Sequence, residues 1–208
     1  MPLSSLRPAG WLRRFLELQR DGLTGHPESS RFPYDTHGWG GPPVAKTRGA
    51  HWWPYEQTGY WVDGAIRCGH LLNDRFLIEK ALRQVNYVLL RPDRDGYLGP
   101  RHIKNPVAMN RWAHAVFFRA LMAHHSATGD RRVPAALRAH YLSDTSPHTA
   151  HREVCNVEAL LWTYERTGDR RLLNRAVEAW KGFNRLEPKH SSVTAAAMAS
   201  SRKPHCLA

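Results

Sequence analysis

Two copies of the tripeptide Thr-Gly-Asp, at Thr128-Gly129-Asp130 and Thr167-Gly168-Asp169, constrain the fold more than any other feature of the chain. Each follows an apolar run and precedes an amphipathic run opened by arginine. Glycine supplies the left-handed residue that closes one helix, and aspartate caps the next. A turn this short forces the two helices to lie antiparallel and side by side. Asn73-Asp74-Arg75 is the turn of a further pair. The outgoing helices are predicted at Arg75–Leu90, Arg131–Leu142 and Arg170–Asn184, with Pro134 in a first turn, where its missing N–H does little harm. Longer loops, Arg91–Ala108 and Ser143–Ala150, separate the pairs. Short turns within pairs and long loops between them read as an array of antiparallel helix hairpins. No alternating strand pattern runs for any length, so the class is all-α.

Around this array lie three further segments. Gly10–Leu23 is amphipathic, with Trp11, Leu12, Phe15, Leu16 and Leu18 set among Arg13, Arg14, Glu17 and Arg20. Thr24–Ala50 is rich in Gly, Pro and Ser, with Trp39 among glycines; so long a loop, carrying aromatics, is expected to line something. Ser191–Ala208 has no apolar periodicity and reads as a disordered tail. The domain is therefore expected over 1–190, with the tail over 191–208.

Composition narrows the classes of function. The net charge of +12 raises nucleic-acid binding, but only 6 of the 30 basic residues are lysine and they form no run, so no nucleic-acid partner is expected. No apolar run approaches the ~18 residues of a membrane span, and none is expected. No signal peptide is visible at Met1-Pro2-Leu3-Ser4-Ser5, which leaves a cytoplasmic location as the default. Cys68, Cys155 and Cys206 are widely spaced, without a C-x-x-C pair, which argues against a disulfide framework and a self-contained cysteine zinc site. Cys68 and Cys155 read as small apolar core residues. His124 and His125 read as packing or turn residues.

The chemistry concentrates in His51-Trp52-Trp53-Pro54-Tyr55-Glu56-Gln57-Thr58-Gly59-Tyr60-Trp61-Val62-Asp63-Gly64, with five aromatics, two carboxyls and a histidine. Pro54 marks the opening turn of a helix. On that helix Glu56, Tyr60, Asp63 and Arg67 fall three and four apart, on one face. Carboxylates beside aromatic planes suit a carbohydrate, whose ring stacks and whose hydroxyls bond. A buried aromatic helix start with two solvated acids is the plainer reading. If the hairpins curl into a toroid, the first helix of each pair lines the inner wall, and their starts share one mouth. That pools Trp53, Glu56, Tyr60 and Asp63 with Trp112 and His114 of the second pair and His151 of the third. Polar residues at helix starts also serve simply as caps, which stands beside this reading.

Pro2-Leu3-Ser4-Ser5-Leu6-Arg7-Pro8-Ala9-Gly10-Trp11-Leu12, followed by Gln19-Arg20-Asp21-Gly22-Leu23-Thr24-Gly25-His26, resembles the N-terminal signature of glycoside hydrolase family 127, the β-L-arabinofuranosidase-like proteins. Tyr55–Gly64 and Asp95-Gly96-Tyr97-Leu98-Gly99-Pro100 are similar to later family segments in the same order, and the resemblance covers Pro2 to His190. It implies an (α/α)6 toroid, of which this chain supplies the N-terminal part, and retaining hydrolysis of terminal arabinofuranosides. It also implies a cysteine thiolate nucleophile beside a zinc ion held by cysteines and a glutamate, since zinc keeps a thiolate deprotonated.

The family's metal and nucleophile motifs include adjacent cysteines, and Cys68, Cys155 and Cys206 match none of them. No catalytic residue, metal ligand or cofactor is therefore assigned to this chain; zinc is expected of a complete family member. The expectation is a truncated, inactive fragment, ended by a frameshift or premature stop, whose uncovered helix flanks drive self-association. Two other readings remain open: a non-catalytic carbohydrate-binding module, and another toroid enzyme such as an unsaturated glucuronyl hydrolase or polysaccharide lyase.

Overall fold

The structure, a computed structural model, describes residues 2–42, 52–100, 103, 108–144 and 153–184. The described residues fold as seven α-helices joined by loops and short 3-10 turns, with no strand among them. The helices are α1 (Gly10–Asp21), α2 (Trp53–Leu72), α3 (Arg75–Leu90), α4 (Ala108–Thr128), α5 (Arg132–Ser143), α6 (Val157–Thr167) and α7 (Arg170–Asn184). His51, His151, Cys206 and the whole 191–208 segment lie outside the described residues.

The three turns behave as their chemistry dictates. Gly129 and Gly168 take positive φ, 72° and 69°, and Asn73 does the same at 54°. Asparagine tolerates this region better than most residues with a side chain. Asp74 Oδ1 accepts from the Leu77 N–H at 3.0 Å, Asp130 Oδ1 from the Arg132 N–H at 3.0 Å and Asp169 Oδ1 from the Arg171 N–H at 3.1 Å. Each aspartate thus satisfies a donor that the start of the next helix leaves open. The guanidinium of Arg132 closes back on Asp130 at 2.6 Å, and that of Arg171 on Asp169 at 2.8 Å. From α5, Arg138 reaches the same Asp169 at 2.8 Å and ties the second hairpin to the third.

Boundaries differ from expectation where a turn intrudes. α1 stops at Asp21 because the Gly22 N–H closes on Leu18 O and Gly25 folds back onto Gln19 O. The third pair opens with a 3-10 turn over Glu153–Asn156, and α6 begins only at Val157.

The hairpins stack in two layers. α2, α4 and α6 form one layer, with α2 packed along α4, and α4 against α6 and the turn before it. α3, α5 and α7 form the other, each against its own partner and against the next. α2 and α4 run parallel: Glu56 meets Trp112, Gly59 meets Val116 and Phe117, and Asp63 meets Arg119, in rising order along both helices. The core between the layers is built on Val62 and Ile66 of α2, Phe117, Phe118 and Leu121 of α4 and Leu160 of α6, all fully buried. No helix among the described residues is long and apolar enough to cross a membrane.

The long loop before α2 is fastened to this array rather than trailing over it. Trp39 is inserted into the core, stacked on Phe117 at 4.3 Å between ring centroids, and its indole N–H donates to Tyr55 O at 2.8 Å. Gly38 takes φ +52°, and a Cβ there would lie 2.7 Å from Gln84 Oε1 and 3.0 Å from Thr58 Cβ, so only glycine lets the loop approach α2 and α3 so closely.

Candidate functional site

The parallel register of α2 and α4 builds a wall. On α2, Glu56, Tyr60, Asp63 and Arg67 share one face by their three- and four-residue spacing. On α4, Trp112, Val116 and Arg119 share another, and the two faces meet. The Trp112 indole N–H donates to the Glu56 carboxylate, which sets the ring across the gap between the helices. Asp63, only 9% exposed, accepts from Arg67 Nε at 2.8 Å and has Arg119 Nε 3.6 Å from its second oxygen. A buried carboxylate is costly unless compensated, and two guanidinium groups compensate this one. Arg119 Nε is itself buried and makes no hydrogen bond among the described residues.

Where this wall meets the start of the third pair, a concavity of about 220 Å³ opens. Tyr60, Trp112, Ala115, Val116 and Arg119 line it from α2 and α4; Cys155 and Glu158 line it from the 3-10 turn and α6. Tyr60 and Glu158 are exposed, while Trp112 and Cys155 are half-buried. The lining therefore offers two aromatic planes, one guanidinium, one open carboxylate and one thiol.

Of the residues that the sequence pools at the mouth, Tyr60 and Trp112 line the concavity directly, and Glu56 and Asp63 stand behind it on Trp112 and Arg119. Trp53, on the same face of α2 one turn earlier, stacks on Phe32 of the long loop at 5.8 Å and does not line the concavity. His151 is outside the described residues.

His114 requires a correction. It is 3% exposed and belongs to the core, T-shaped against Trp39 at 5.1 Å and stacked on His140 at 4.9 Å. The physical reason is helical phase: two residues after Trp112, it points roughly 200° around α4. Its task is structural. His114 Nε2 donates to the carbonyl of Leu98 at 2.8 Å, while His140 Nδ1 accepts from the Leu98 N–H at 2.9 Å. The two imidazoles thus satisfy both backbone groups of a fully buried loop residue.

Arg119, Cys155 and Glu158 are the polar lining residues that sequence reasoning missed. Arg119 is seven residues after Trp112 and Glu158 three after Cys155, spacings that place each pair on one helical face. Cys155 was expected in the core, and it faces the concavity instead, because the 3-10 turn before α6 rotates it outward. Cys68 is buried on α2 with its thiol donating to Leu16 O at 3.5 Å, and burial pushes that thiol above its ordinary value. Among the described residues no three His, Cys, Asp or Glu side chains converge as metal ligands.

No protein-family model, no curated protein and no solved structure matches the chain.

Proposed function

We propose that the α2–α4–α6 layer is the sugar-recognition wall of a glycoside hydrolase of the arabinofuranosidase-like type, built as part of an (α/α) toroid. The observation that carries this reading is the convergence of Tyr60, Trp112, Arg119 and Glu158 on one concavity, with Glu56 and Asp63 fixing two of them from behind. Aromatic planes offer the apolar face of a sugar ring a stacking surface. Arg119 and Glu158 supply a donor and an acceptor for hydroxyls, in a recess where such bonds compete less with water. Parallel first helices side by side, each backed by an antiparallel partner, are what an inner toroid wall requires.

The resemblance to glycoside hydrolase family 127 adds a terminal arabinofuranoside as the substrate and zinc–thiolate chemistry as the means. Cys155 and Glu158, with tyrosine, tryptophan and arginine around them, do not make the several-cysteine-plus-glutamate set that zinc would need there. The part of this chain's residues is therefore to bind the sugar. Retaining hydrolysis needs a nucleophile and an acid/base on opposite sides of the bond. The wall described supplies positioning for one side of the sugar.

A second reading follows from Arg119. Its Nε faces Asp63 at 3.6 Å while the residue lines the concavity, and a guanidinium there suits a carboxylate, hence an acidic sugar of the kind an unsaturated glucuronyl hydrolase takes. Titration of the purified chain with an aryl arabinofuranoside and with an unsaturated glucuronide, followed by calorimetry, separates the two. Saturable binding of the first, weakened about tenfold or more (1.4 kcal/mol) by Tyr60→Ala or Glu158→Gln, is the expected result. Preference for the glucuronide, lost in Arg119→Gln, would transfer the site to the acidic sugar. Failure of both sugars to bind a cooperatively melting chain would remove the carbohydrate reading.

A further inference from the structure

On the other side of α2 lies a second pocket, and we infer that it binds a small oxyanion, the carboxylate or phosphate group of a small molecule, anchored on Arg83. Its volume is about 210 Å³, and its lining comes from three places: Tyr34, Thr36 and His37 of the long loop, Thr58 and Trp61 of α2, and Lys80, Arg83 and Gln84 of α3. Thr58 and Trp61 lie well over a quarter-turn around α2 from Glu56 and Tyr60, so the two pockets share no wall residue.

The pocket is built rather than incidental. Its loop side is held down by Trp39 in the core, by the Gly38 approach and by the Trp39 N–H donating to Gln84 Oε1 at 2.9 Å. Tyr34 OH donates to Gln57 Oε1 at 3.4 Å, and the Trp61 indole N–H donates to Thr24 O at 2.8 Å. These bonds fix two aromatic rings as pocket walls. Most of the polar lining groups are already satisfied. Lys80 Nζ donates to both oxygens of Glu28, at 3.0 and 2.8 Å, and to Gly25 O at 2.6 Å, and Glu28 is held below its ordinary carboxylate value by that ammonium. Thr36 Oγ1 donates to Pro33 O and accepts from the Gly38 N–H.

The one charged group left over is a donor. The Arg83 side chain makes no hydrogen bond and no ion pair among the described residues, and the His37 ring and the Gln84 amide nitrogen make none either. Lys80 and Glu28 cancel, so the uncompensated charge of the lining is that of one guanidinium. Its planar fork matches the two oxygens of a carboxylate or phosphate. A pocket of about 210 Å³ has room for an anion with a short carbon body. The Trp61 and Tyr34 rings suit that body.

The test reads the Trp61 indole resonance, assigned with Trp61→Phe, while inorganic phosphate and, separately, acetate are titrated into the full chain. The expected result is a saturable shift with a Kd of about 1 mM or tighter for one of the two anions, which also tells phosphate from carboxylate. Arg83→Gln should weaken it at least about tenfold with an unchanged melting temperature, since Arg83 is exposed. Arg75→Gln removes another exposed guanidinium from the same helix, outside the pocket and paired with Glu79, and should leave the affinity unchanged. No saturable shift with either anion would overturn the inference. So would equal weakening by Arg75→Gln and Arg83→Gln, which would mark general attraction to a chain of net charge +12.

Discussion

At the scale of single residues, the histidines carry the clearest consequences. Removing the imidazole at His140 leaves the Leu98 N–H buried and unpaired, a loss of about 1–3 kcal/mol. His140→Phe, which keeps the ring stacking, should therefore lower the melting temperature by about 2–4 °C for each kcal/mol lost. An unchanged melt would show that the two-imidazole clamp on Leu98 contributes nothing. His70 on α2 and His124 on α4 face each other electrostatically, and burial pushes both below the ordinary imidazole value. The folded chain therefore resists binding protons that the unfolded chain takes up at about pH 6.5. The stability these residues allow is full above that value and is lost as the pH falls below it. Asp130, held far down by Arg132, stays ionised throughout that window and does not contribute to the change. His70→Leu, which also removes an imidazole nitrogen with no hydrogen bond, should flatten the fall in melting temperature between about pH 7.5 and about pH 5.5. An equal fall in wild type and variant would assign the acid sensitivity elsewhere. These same residues show why the site was only partly legible in sequence. Glu56, Tyr60 and Asp63 could be found because spacing along one helix fixes their common face, and Trp112 because it opens the first helix of the next pair. His114 could not be placed by its nearness to a helix start, since helical phase two residues on reverses the direction. Cys155 depended on a 3-10 turn that carries no strong sequence signal.

At the scale of elements, α2 is the helix on which the others depend, and its glycines divide by what surrounds them. A Cβ at Gly59 would sit 3.1 Å from Val116 Cγ1 and 3.4 Å from the Phe117 nitrogen, at the closest approach of α2 to α4. Gly59→Val forces the two parallel helices apart, and overpacking of this kind costs about 1–3 kcal/mol. Because Glu56–Trp112 and Asp63–Arg119 span the same seam, the sugar affinity proposed above should fall along with stability. Gly64 has nothing within 4 Å of its Cβ position and lies mid-helix. Gly64→Ala should stabilise by about 0.5–1 kcal/mol and leave binding untouched. Chemical denaturation of the pair is the measurement; a Gly59→Val chain as stable as Gly64→Ala would show that the seam is slack. The hairpin turns were the most legible part of the fold, because glycine or asparagine at positive φ and aspartate at the next cap act locally, without help from distant residues. The long loop was legible only as a loop with aromatics. That it is pinned by Trp39 and forms one side of the Arg83 pocket depends on contacts across dozens of residues, which no local pattern encodes.

At the scale of the whole molecule, the two ends of the helix array carry the largest uncovered apolar groups. On α1, Trp11, Phe15 and Leu18 recur at helical spacing along one face, with Trp11 80% exposed, and no residue of the helix is buried. On α7, Val177 and Trp180 repeat the arrangement, with Trp180 53% exposed. At ~25 cal/mol per Å², a few hundred Å² of such surface represents several kcal/mol of burial to be gained. We expect that these edges drive self-association of the chain, visible as a mass that rises with concentration in sedimentation. The charge around them sets its salt dependence. Arg13 and Arg14 pair with Glu17 and Arg171 with Asp169, but α1 still holds three basic against two acidic side chains and α7 four against one, so like charges oppose the contact at low ionic strength. Raising salt shortens the screening length from about 30 Å at 0.01 M to about 8 Å at 0.15 M and should strengthen association. A contact held by ion pairs would weaken instead. The single variants Trp11→Glu and Trp180→Glu then identify the geometry. If α1 of one copy seats on α7 of the next, either substitution abolishes association, and the contact is heterologous and continues into longer assemblies. If each edge pairs with itself, one variant leaves a dimer that the other removes. Association unaffected by both would assign it to a different surface and leave the stripes as ordinary solvent-facing apolar groups.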